Sequence, residues 1–256
     1  MKSWKKALRL LLSIAFWVLV WEAAAFGAGN GLLFPPPRIV LRTLWNLMKT
    51  PLFWKVTGLS LWNVLSGILW ALLIGILLAV LTYRVGLLRD LILPMMTVIK
   101  ATPVASFIVL LLIWIGSAKV PTIITLLIVL PVIWTNLDEG LRRQSPQLRE
   151  VAAVYRMPAW RRVRLLTLPS VKPYFVSACR TSLGLAWKAG IAAEIIARPR
   201  NSIGTMIGDA KNYLNTEEMF AWTLTVILLS LLFEFGFVAI LRRLDRRPAE
   251  QEDAPC

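Results

Sequence analysis

Six runs of about 20 apolar residues restrict the fold of this chain more than any other feature of its sequence. A helix of about 20 apolar residues crosses the hydrocarbon core of a bilayer and bonds its own backbone N–H and C=O groups, as a solvent without water requires. The sequence therefore predicts an all-α integral membrane protein with about six transmembrane helices. The predicted spans are residues 8–28, 61–83, 91–115, 120–136, 174–196 and 220–241.

Composition agrees with lipid as the solvent of most of the chain. Hydrophobic residues make up 57% of the sequence and charged residues 17%, whereas soluble domains have about 45–50% and about 25%. Six spans and their connections use most of the 256 residues. We therefore expect residues 1–256 to form a single transmembrane domain.

The formal net charge of +15 has two interpretations, nucleic-acid binding or the enrichment of Lys and Arg in cytoplasmic loops. Six spans place both termini on one side of the membrane together with residues 84–90 and 138–172, and 18 of the 29 Lys and Arg residues fall there. The opposite side receives 8 and the spans hold 3. We therefore predict a multi-pass membrane protein with both termini in the cytoplasm and no nucleic-acid partner.

The N-terminus also has an alternative interpretation. Basic residues followed by an apolar stretch and "EAAAFGAG" resemble a cleavable secretory signal. Its removal would leave five spans, which fits the charge distribution less well. The apolar run is also longer than the roughly 7–15 residues of a signal core, so we favour a retained first span.

Residues that carry most metal and acid–base chemistry are scarce. The chain has no histidine, and its two cysteines, Cys179 and Cys256, form neither a disulfide framework nor a CxxC metal site. The sequence also lacks GxSxG, HExxH and the GxxxxGKS or GxxxxGKT phosphate loop. We expect a chain that is not an enzyme and binds no cofactor or metal itself.

Two segments on the side opposite the termini are expected to form short helices. "RIVLRTLWNLM" has apolar residues at helical spacing and predicts an amphipathic helix at the outer interface. "SIGTMIGDAKNYL" predicts a second helix within a polar segment, and the alternative there is a solvated loop.

The basic segment 138–172 separates the fourth and fifth predicted spans and contains two short helical patterns. The first has Ser145 as a possible N-cap and Pro146 at the first helical position. The second begins at Pro158 and is expected to end at Pro169, because proline breaks helices. Together they predict an elbow whose apolar and aromatic rim suits docking in a partner's groove. The alternative is an interfacial helix pair whose arginines meet anionic lipid headgroups.

This segment resembles the EAA motif in the permease subunits of binding-protein-dependent ABC importers. The motif reads E-A-A, three residues, G, nine residues, I, one residue, L-P, and Glu150, Ala152, Leu168 and Pro169 stand at the required positions. Arg156 occupies the glycine position, where an arginine should resist a positive φ. Other segments, including "LFPPP", "KATPVASFIVLLLIWIG" and "LGLAWKAGIAAEIIARPRN", are similar to permeases that serve nitrate, sulfonate, taurine and related solutes.

The resemblance implies a function and a set of partners. Two permease copies, usually a homodimer in this subfamily, form a pathway through the bacterial inner membrane for a small polar or anionic solute. A cytoplasmic ATPase that holds ATP and Mg docks on the EAA loop, and an extracytoplasmic binding protein delivers the solute at the outer loops. The coupling residues implied are Glu150, Ala152, Arg156, Pro158, Trp160, Leu168 and Pro169.

Small residues recur every four positions in two spans, from Gly67 to Ala79 and from Ala178 to Gly190. Such stripes let helix backbones approach closely in lipid. We favour packing within one chain as their role. The alternative is that the fifth-span stripe lines the dimer interface and the solute pathway.

Charged residues inside spans cost about 2.5–3.5 kcal/mol each on insertion scales, so they need a partner, water or a function. Lys100 is followed by Thr102 and Pro103, which can open the helix, and Lys188 lies in the middle of the fifth span. Our hypothesis is that these lysines favour anionic solutes. The alternative partners are Glu22, Glu194 and Glu234. The predicted pathway residues are Lys100, Thr102, Ser182, Lys188, Gly190 and Glu194.

The main rival function is a transporter driven by an ion gradient. Such proteins are typically built from internal repeats with broken helices at corresponding positions, and the chain shows no convincing repeat. A copurifying ATPase would separate the two functions.

Overall fold

The computed structural model describes residues 2–29 and 33–245, and every regular element within them is helical. The helices, in chain order, are α1 (Lys2–Gly27), α2 (Pro37–Met48), α3 (Pro51–Arg84), α4 (Gly86–Ala101), α5 (Val104–Ile115), α6 (Val120–Arg142), α7 (Pro146–Val154), α8 (Ala159–Arg162), α9 (Leu168–Ala197), α10 (Ile203–Asn212) and α11 (Thr216–Asp245). A π-helical turn, Val163–Thr167, joins α8 to α9. Cys256 and the end of the basic C-terminal segment, 246–248, lie outside the described residues.

Within the described residues, three helices are long and apolar enough to cross a membrane: α3, α6 and the Thr216–Phe237 part of α11. α4 and α5 meet the same criterion as a bent pair, and α1 has a shorter apolar part, Leu11–Gly27. α9 does not meet this criterion for a membrane span, because Arg180, Lys188 and Glu194 lower its mean hydropathy. These findings confirm an all-α chain with membrane-spanning helices, and the number six stays a prediction.

The predicted third span, 91–115, consists of two helices that meet at Thr102 and Pro103, where the sequence indicated that the helix can open. The axes of α4 and α5 differ by 103°. Thr102 has a φ of −76° and a ψ of 131°, which is the extended conformation favoured by a residue that precedes proline. Pro103 has no N–H with which to continue the helical hydrogen bonds. The pair "TP" therefore turns the chain in a new direction.

α6 lies at the centre of the bundle and makes its most extensive contacts with α9 and α3. The close approach depends on small residues. A Cβ atom added to Gly67 would lie 2.6 Å from the Thr122 carbonyl oxygen, and one added to Gly190 would lie 2.8 Å from a Val64 methyl group. Both small-residue stripes thus lie at packing contacts within one chain, as we favoured from the sequence.

α2 has the amphipathic character predicted from its sequence. Val40 and Leu44 are buried, and the helix packs on α11, while Arg42 and Trp45 are exposed. α10, the other predicted short helix, packs against α9 and α11. Both short helices lie at the end of the bundle where α3 begins and α9 ends.

A buried carboxylate joins three helices at the opposite end. Asp138 of α6 is only 5% exposed. It accepts hydrogen bonds from Arg89 of α4 at 3.0 Å and from Arg142 at 3.0 and 3.1 Å. Arg142 also donates to the Thr82 carbonyl of α3 at 3.1 Å, and the Trp134 indole donates to the Thr82 hydroxyl at 3.2 Å. This network ties α3, α4 and α6 together beside the basic segment.

Candidate functional site

The segment between α6 and α9 consists of α7, a tight turn and α8, which together we call the elbow (residues 146–162). α7 begins at Pro146 with Ser145 in the N-cap position, as the sequence predicts. The Ser145 hydroxyl contacts the Gln147 side chain and makes no cap bond to the backbone. The start of the helix therefore depends on Pro146, which has a suitable φ and no N–H to satisfy.

The turn of the elbow is a Schellman motif with an arginine at its left-handed position. The Met157 N–H bonds to the Ala152 carbonyl at 2.9 Å, and the Arg156 N–H bonds to the Ala153 carbonyl at 3.0 Å. Arg156 has a φ of 48°, the region in which glycine is usual. The chain thus adopts here the positive φ that an arginine should resist, and the residue is strained.

The second helix of the elbow does not end at Pro169, and that prediction is wrong. α8 continues through the π-helical turn into α9, and Pro169 lies in the first turn of α9. In the π turn the Leu168 N–H bonds to the Val163 carbonyl, five residues back. This wider turn accommodates the proline ring, which in a regular α-helix would clash with a carbonyl one turn earlier. α8, the π turn and α9 form one continuous rod, residues 159–197.

Most of the residues assigned to coupling lie on the surface of the elbow and of the rod. Ala152 is the exception: it is fully buried within the chain, so it supports the elbow from the inside. Trp160 is 61% exposed, and the Arg161 guanidinium lies 5.6 Å from the centre of its ring. The exposed members of the set are Glu150, Arg156, Pro158, Trp160, Leu168 and Pro169.

An apolar rim surrounds the turn of the elbow. Val154 and Tyr155 at the end of α7 are 79% and 75% exposed, and Trp160 follows on α8. Large apolar side chains exposed in one short segment are typical of an interaction surface. Aromatic residues of this kind often contribute most of the binding energy at a protein interface.

Three of the predicted pathway residues have local or packing contacts in the single chain. Ser182 is 1% exposed, and its hydroxyl has no hydrogen-bond partner among the described residues. Gly190 packs against Val64 of α3. The Thr102 hydroxyl bonds to the Val98 carbonyl of its own helix at 2.8 Å.

Glu194 is fully buried and holds three helices together. Its carboxylate accepts hydrogen bonds from the Ser60 hydroxyl at 2.7 Å, the Asn63 amide at 3.2 Å and the Gly204 N–H at 3.1 Å. The Ile203 N–H in turn donates to the Ser60 hydroxyl at 2.8 Å. The carboxylate therefore sits at the N-terminus of α10, where the helix dipole favours negative charge. We call this group the Glu194 clasp.

Lys100 and Lys188 are exposed, in contrast to the small residues at every fourth position of α9 from Ala178 to Gly190, which are buried. The Lys100 ammonium donates to the Thr135 hydroxyl at 2.8 Å. Lys188 and Arg180 lie eight residues apart and therefore on one face of α9, with open space at Gly184 between them. Among the described side chains, no carboxylate forms an ion pair with Lys100, Lys188 or Arg180. We call Arg180 and Lys188, with Gly184 between them, the basic face of α9.

The proposed alternative partners of the two lysines have other roles. Glu22 forms an ion pair with Arg38 at 3.5 Å, and Glu194 is engaged in its clasp. Glu234 is exposed on α11. Pairing of the lysines with Glu22 or Glu194 is therefore wrong for the single chain.

Asp138 is a structural residue that was not among those predicted from the sequence. The signal was present in "TNLDEGLR", where an aspartate near the end of an apolar run has an arginine four residues later, the spacing of neighbours on a helix. Its second partner, Arg89, is 49 positions away and could not be inferred from spacing.

Residues 71–250 of the chain match the family described as binding-protein-dependent transport system inner membrane component. The chain is 26% identical to the riboflavin transport system permease protein RibX of Chloroflexus aurantiacus, over 93% of its own length and 89% of that protein. It is 27% identical to the taurine transport system permease protein TauC of Escherichia coli, over 88% of this chain and 83% of that protein. It is also 27% identical to the nitrate import permease protein NrtB of Synechocystis, over 96% of this chain and 92% of that protein.

The fold has a counterpart among solved structures. It is similar to a chain in the crystal structure of a bacterial ABC transporter involved in the import of the acidic polysaccharide alginate. The TM-score is 0.66 with 16% sequence identity, and the match covers 96% of this chain and 100% of the other. At this identity the likeness concerns the fold alone.

Proposed function

Because the chain belongs to the binding-protein-dependent transport system inner membrane components, we propose that its elbow couples it to a separate ATPase and that α9 lines its solute pathway. The chain is a permease subunit of an ABC importer. This membership decides against the rival function, a transporter driven by an ion gradient.

The observation that carries the proposal is the continuity between the elbow and α9. An exposed aromatic rim suits docking in a groove of a partner, and the rod leads from that rim to the basic face of α9. The ATPase binds ATP and Mg, for which the sequence of this chain offers no phosphate loop. Movement of the ATPase at the elbow then reaches the pathway through a single helix.

The elbow and both termini lie in the cytoplasm in this proposal. Support comes from the distribution of Lys and Arg, of which 18 of 29 fall on that side. The six spans are α1, α3, the bent pair α4–α5, α6, α9 and α11, and they form one transmembrane domain.

A second copy of the chain completes the pathway. The opposite face of α9 is already buried against α3 and α6, so the basic face is the part of this helix left open in a single chain. Uncompensated cations are costly in lipid. A homodimer that encloses this face in water removes that cost and gives the pathway a positive potential.

We propose a small polar or anionic solute, with oxyanions as the favoured class. The named solutes of the relatives include nitrate, taurine and aliphatic sulfonates. Nitrate and sulfonates carry a delocalised negative charge on oxygen, and Arg180, Lys188 and Lys100 offer N–H donors of the matching sign.

A solute-binding protein delivers this solute at the outer end. The surface proposed for it follows α10, where Tyr213 and Leu214 are 83% and 74% exposed. The Glu194 clasp fixes the start of α10, so this surface is connected to α9.

The test is coexpression with the ATPase and the binding protein encoded beside the gene. The ATPase should copurify with the chain, and in proteoliposomes the loaded binding protein should stimulate ATP hydrolysis. Solute movement without an ATPase would contradict the proposal. So would labelling of a Glu150→Cys variant by an impermeant maleimide from the outer side only.

A further inference from the structure

A cavity of about 1160 Å³ lies between the ends of α3 and α6 and the start of the rod. Its lining includes four basic residues and no acidic one. The cavity shares Leu168 and Pro169 with the predicted coupling residues, but none of its four basic residues has been assigned to coupling or to the solute pathway. The basic residues are Arg84, Arg162, Arg164 and Lys172.

The polar end of the cavity presents three exposed arginines and one buried amide donor. Among the described side chains, no carboxylate forms an ion pair with Arg84, Arg162 or Arg164. The Gln144 side chain, which is only 9% exposed, also lines the cavity, and its amide nitrogen has no hydrogen-bond partner in the part of the chain that the structure describes. A buried donor without an acceptor costs free energy. Together these groups match a ligand with several negatively charged oxygens, such as a phosphate.

The rest of the cavity is apolar and runs along the helices. Ile76 and Val80 of α3 form one wall and Phe175 of α9 forms another. Ile76 and Arg84 are eight residues apart, which is about 12 Å along a helix. One leaflet of the hydrocarbon core is about 15 Å deep. A ligand of matching shape has an anionic head at the membrane surface and a hydrocarbon chain along α3.

We propose that this cavity binds an anionic phospholipid from the leaflet on the elbow side. Its phosphate lies among Arg84, Arg162 and Arg164 and accepts from Gln144, and one acyl chain lies against Ile76, Val80 and Phe175. Because α8 and the start of α9 form one wall, the lipid braces the rod against α3 and α6. The proposal rests on the cavity and not on ATPase coupling, so either can fail without the other.

The experiment is native mass spectrometry of the purified full chain, titrated with dioleoylphosphatidylglycerol or dioleoylphosphatidylcholine. The wild type should retain one phosphatidylglycerol in preference to phosphatidylcholine. The double variant Arg162→Gln/Arg164→Gln should bind phosphatidylglycerol about 25-fold more weakly, because each arginine contributes about fivefold to the affinity. Arg143→Gln/Arg161→Gln removes the same charge from positions that do not line the cavity, and it should retain the lipid.

A second pair of variants tests the acyl chain. Val80→Trp narrows the apolar part of the cavity and should weaken retention without any change in charge. Leu77→Trp places the same side chain outside the cavity and should leave retention unchanged.

Four results would overturn the proposal. Equal retention of both lipids would show that charge does not select the ligand, and equal loss in both double variants would show that the cavity is not the site. Displacement of the lipid by inorganic phosphate at matched concentration would assign the site to a free anion. Absence of retention would leave the cavity to a second copy of the chain or to its own acidic stretch "EQED" at 250–253.

Discussion

The carboxylate of Glu194 accepts a hydrogen bond of 2.7 Å from the Ser60 hydroxyl, although the two residues are 134 positions apart. The bond joins α9 to α3, and the Gly204 N–H adds α10 to the same carboxylate. A glycine is needed at 204 because a Cβ there would meet the Glu194 side chain. The end of the bundle opposite the elbow is therefore held by one buried acid.

Replacing Glu194 with alanine should destabilise the protein. The Ser60 hydroxyl and the Gly204 N–H would stay buried without an acceptor, which together costs about 3 kcal/mol of unfolding free energy. Thermal unfolding in detergent, followed by tryptophan fluorescence, should show a clearly lower midpoint. Glu234→Ala, at an exposed position of α11, is the control and should unfold like the wild type; equal midpoints for both variants would contradict the role of the clasp.

Replacing Arg156 with glycine should stabilise the elbow. Glycine adopts the φ of 48° found at this position without the roughly 1–2 kcal/mol that a left-handed conformation costs an L-residue. Slower proteolysis at the turn, or a higher unfolding midpoint, measures the gain. Arg156→Ala keeps the strain and should show no gain. Arg198→Gly is a second comparison, because Arg198 also has a positive φ but pairs with Asp209. There the loss of the ion pair should offset the stability gained from relieving backbone strain.

Two glycines of α3 should respond in opposite ways to alanine. At Gly67 the new methyl group would lie 2.6 Å from the Thr122 carbonyl, and such overpacking costs about 1–3 kcal/mol. At Gly58 nothing lies within 4 Å, so alanine should be neutral or stabilising by up to about 1 kcal/mol through its helix propensity. Unfolding midpoints of the two variants test this difference, and an equal effect at both sites would contradict the close packing of α3 on α6.

Removing the aromatic ring at Trp160 should weaken ATPase binding. An interface residue of this kind contributes about 2 kcal/mol or more, which corresponds to about a 30-fold loss of affinity. Binding of the purified ATPase to the permease in nanodiscs gives the measurement. Trp70→Ala removes a tryptophan of similar exposure from α3 and should bind normally; a similar loss in both variants would remove the elbow from the interface.

Neutralising Lys100 and Lys188 together should reduce the preference for anionic solutes. A unit charge at about 4 Å contributes about 1 kcal/mol even at the dielectric constant of water, so uptake of the anion should fall about fivefold or more for each charge in the pathway. Uptake by the Lys100→Gln/Lys188→Gln variant is compared with uptake by Lys211→Gln, whose lysine lies on α10. An unchanged charge preference would show that neither lysine faces the solute.

Local features of the fold were predictable where one physical effect dominates. The start of α7 at Pro146 follows from proline geometry, and the spacing of Gly67 and Gly75 predicts a close helix contact on that face of α3, though not that α6 is the partner. Both depend on neighbours within a few positions of the chain. The amphipathic α2 was predictable for the same reason.

Other features depend on competing effects or on distant residues. Pro169 indicates a helix end, yet the π turn before it accommodates the ring, and nothing local in the sequence reveals that turn. Thr102 and Pro103 indicated an opening of the helix, but its size of 103° depends on how α5 packs on α9. The Glu194 clasp and the Asp138 network join residues far apart in sequence. An isolated acidic residue in a predicted span is equally compatible with a role in the solute pathway and with a structural role.

The rod that begins at α8 gives the molecule the mechanics of a lever. Leu168 and Glu194 are 26 residues apart, so the arm is about 39 Å long. A tilt of about 10° around a pivot near its middle moves each tip by about 3.4 Å, because each half is about 20 Å long. Because the Glu194 carboxylate at the far tip binds the start of α10, the movement proposed at the elbow would be transmitted to α10 through one helix.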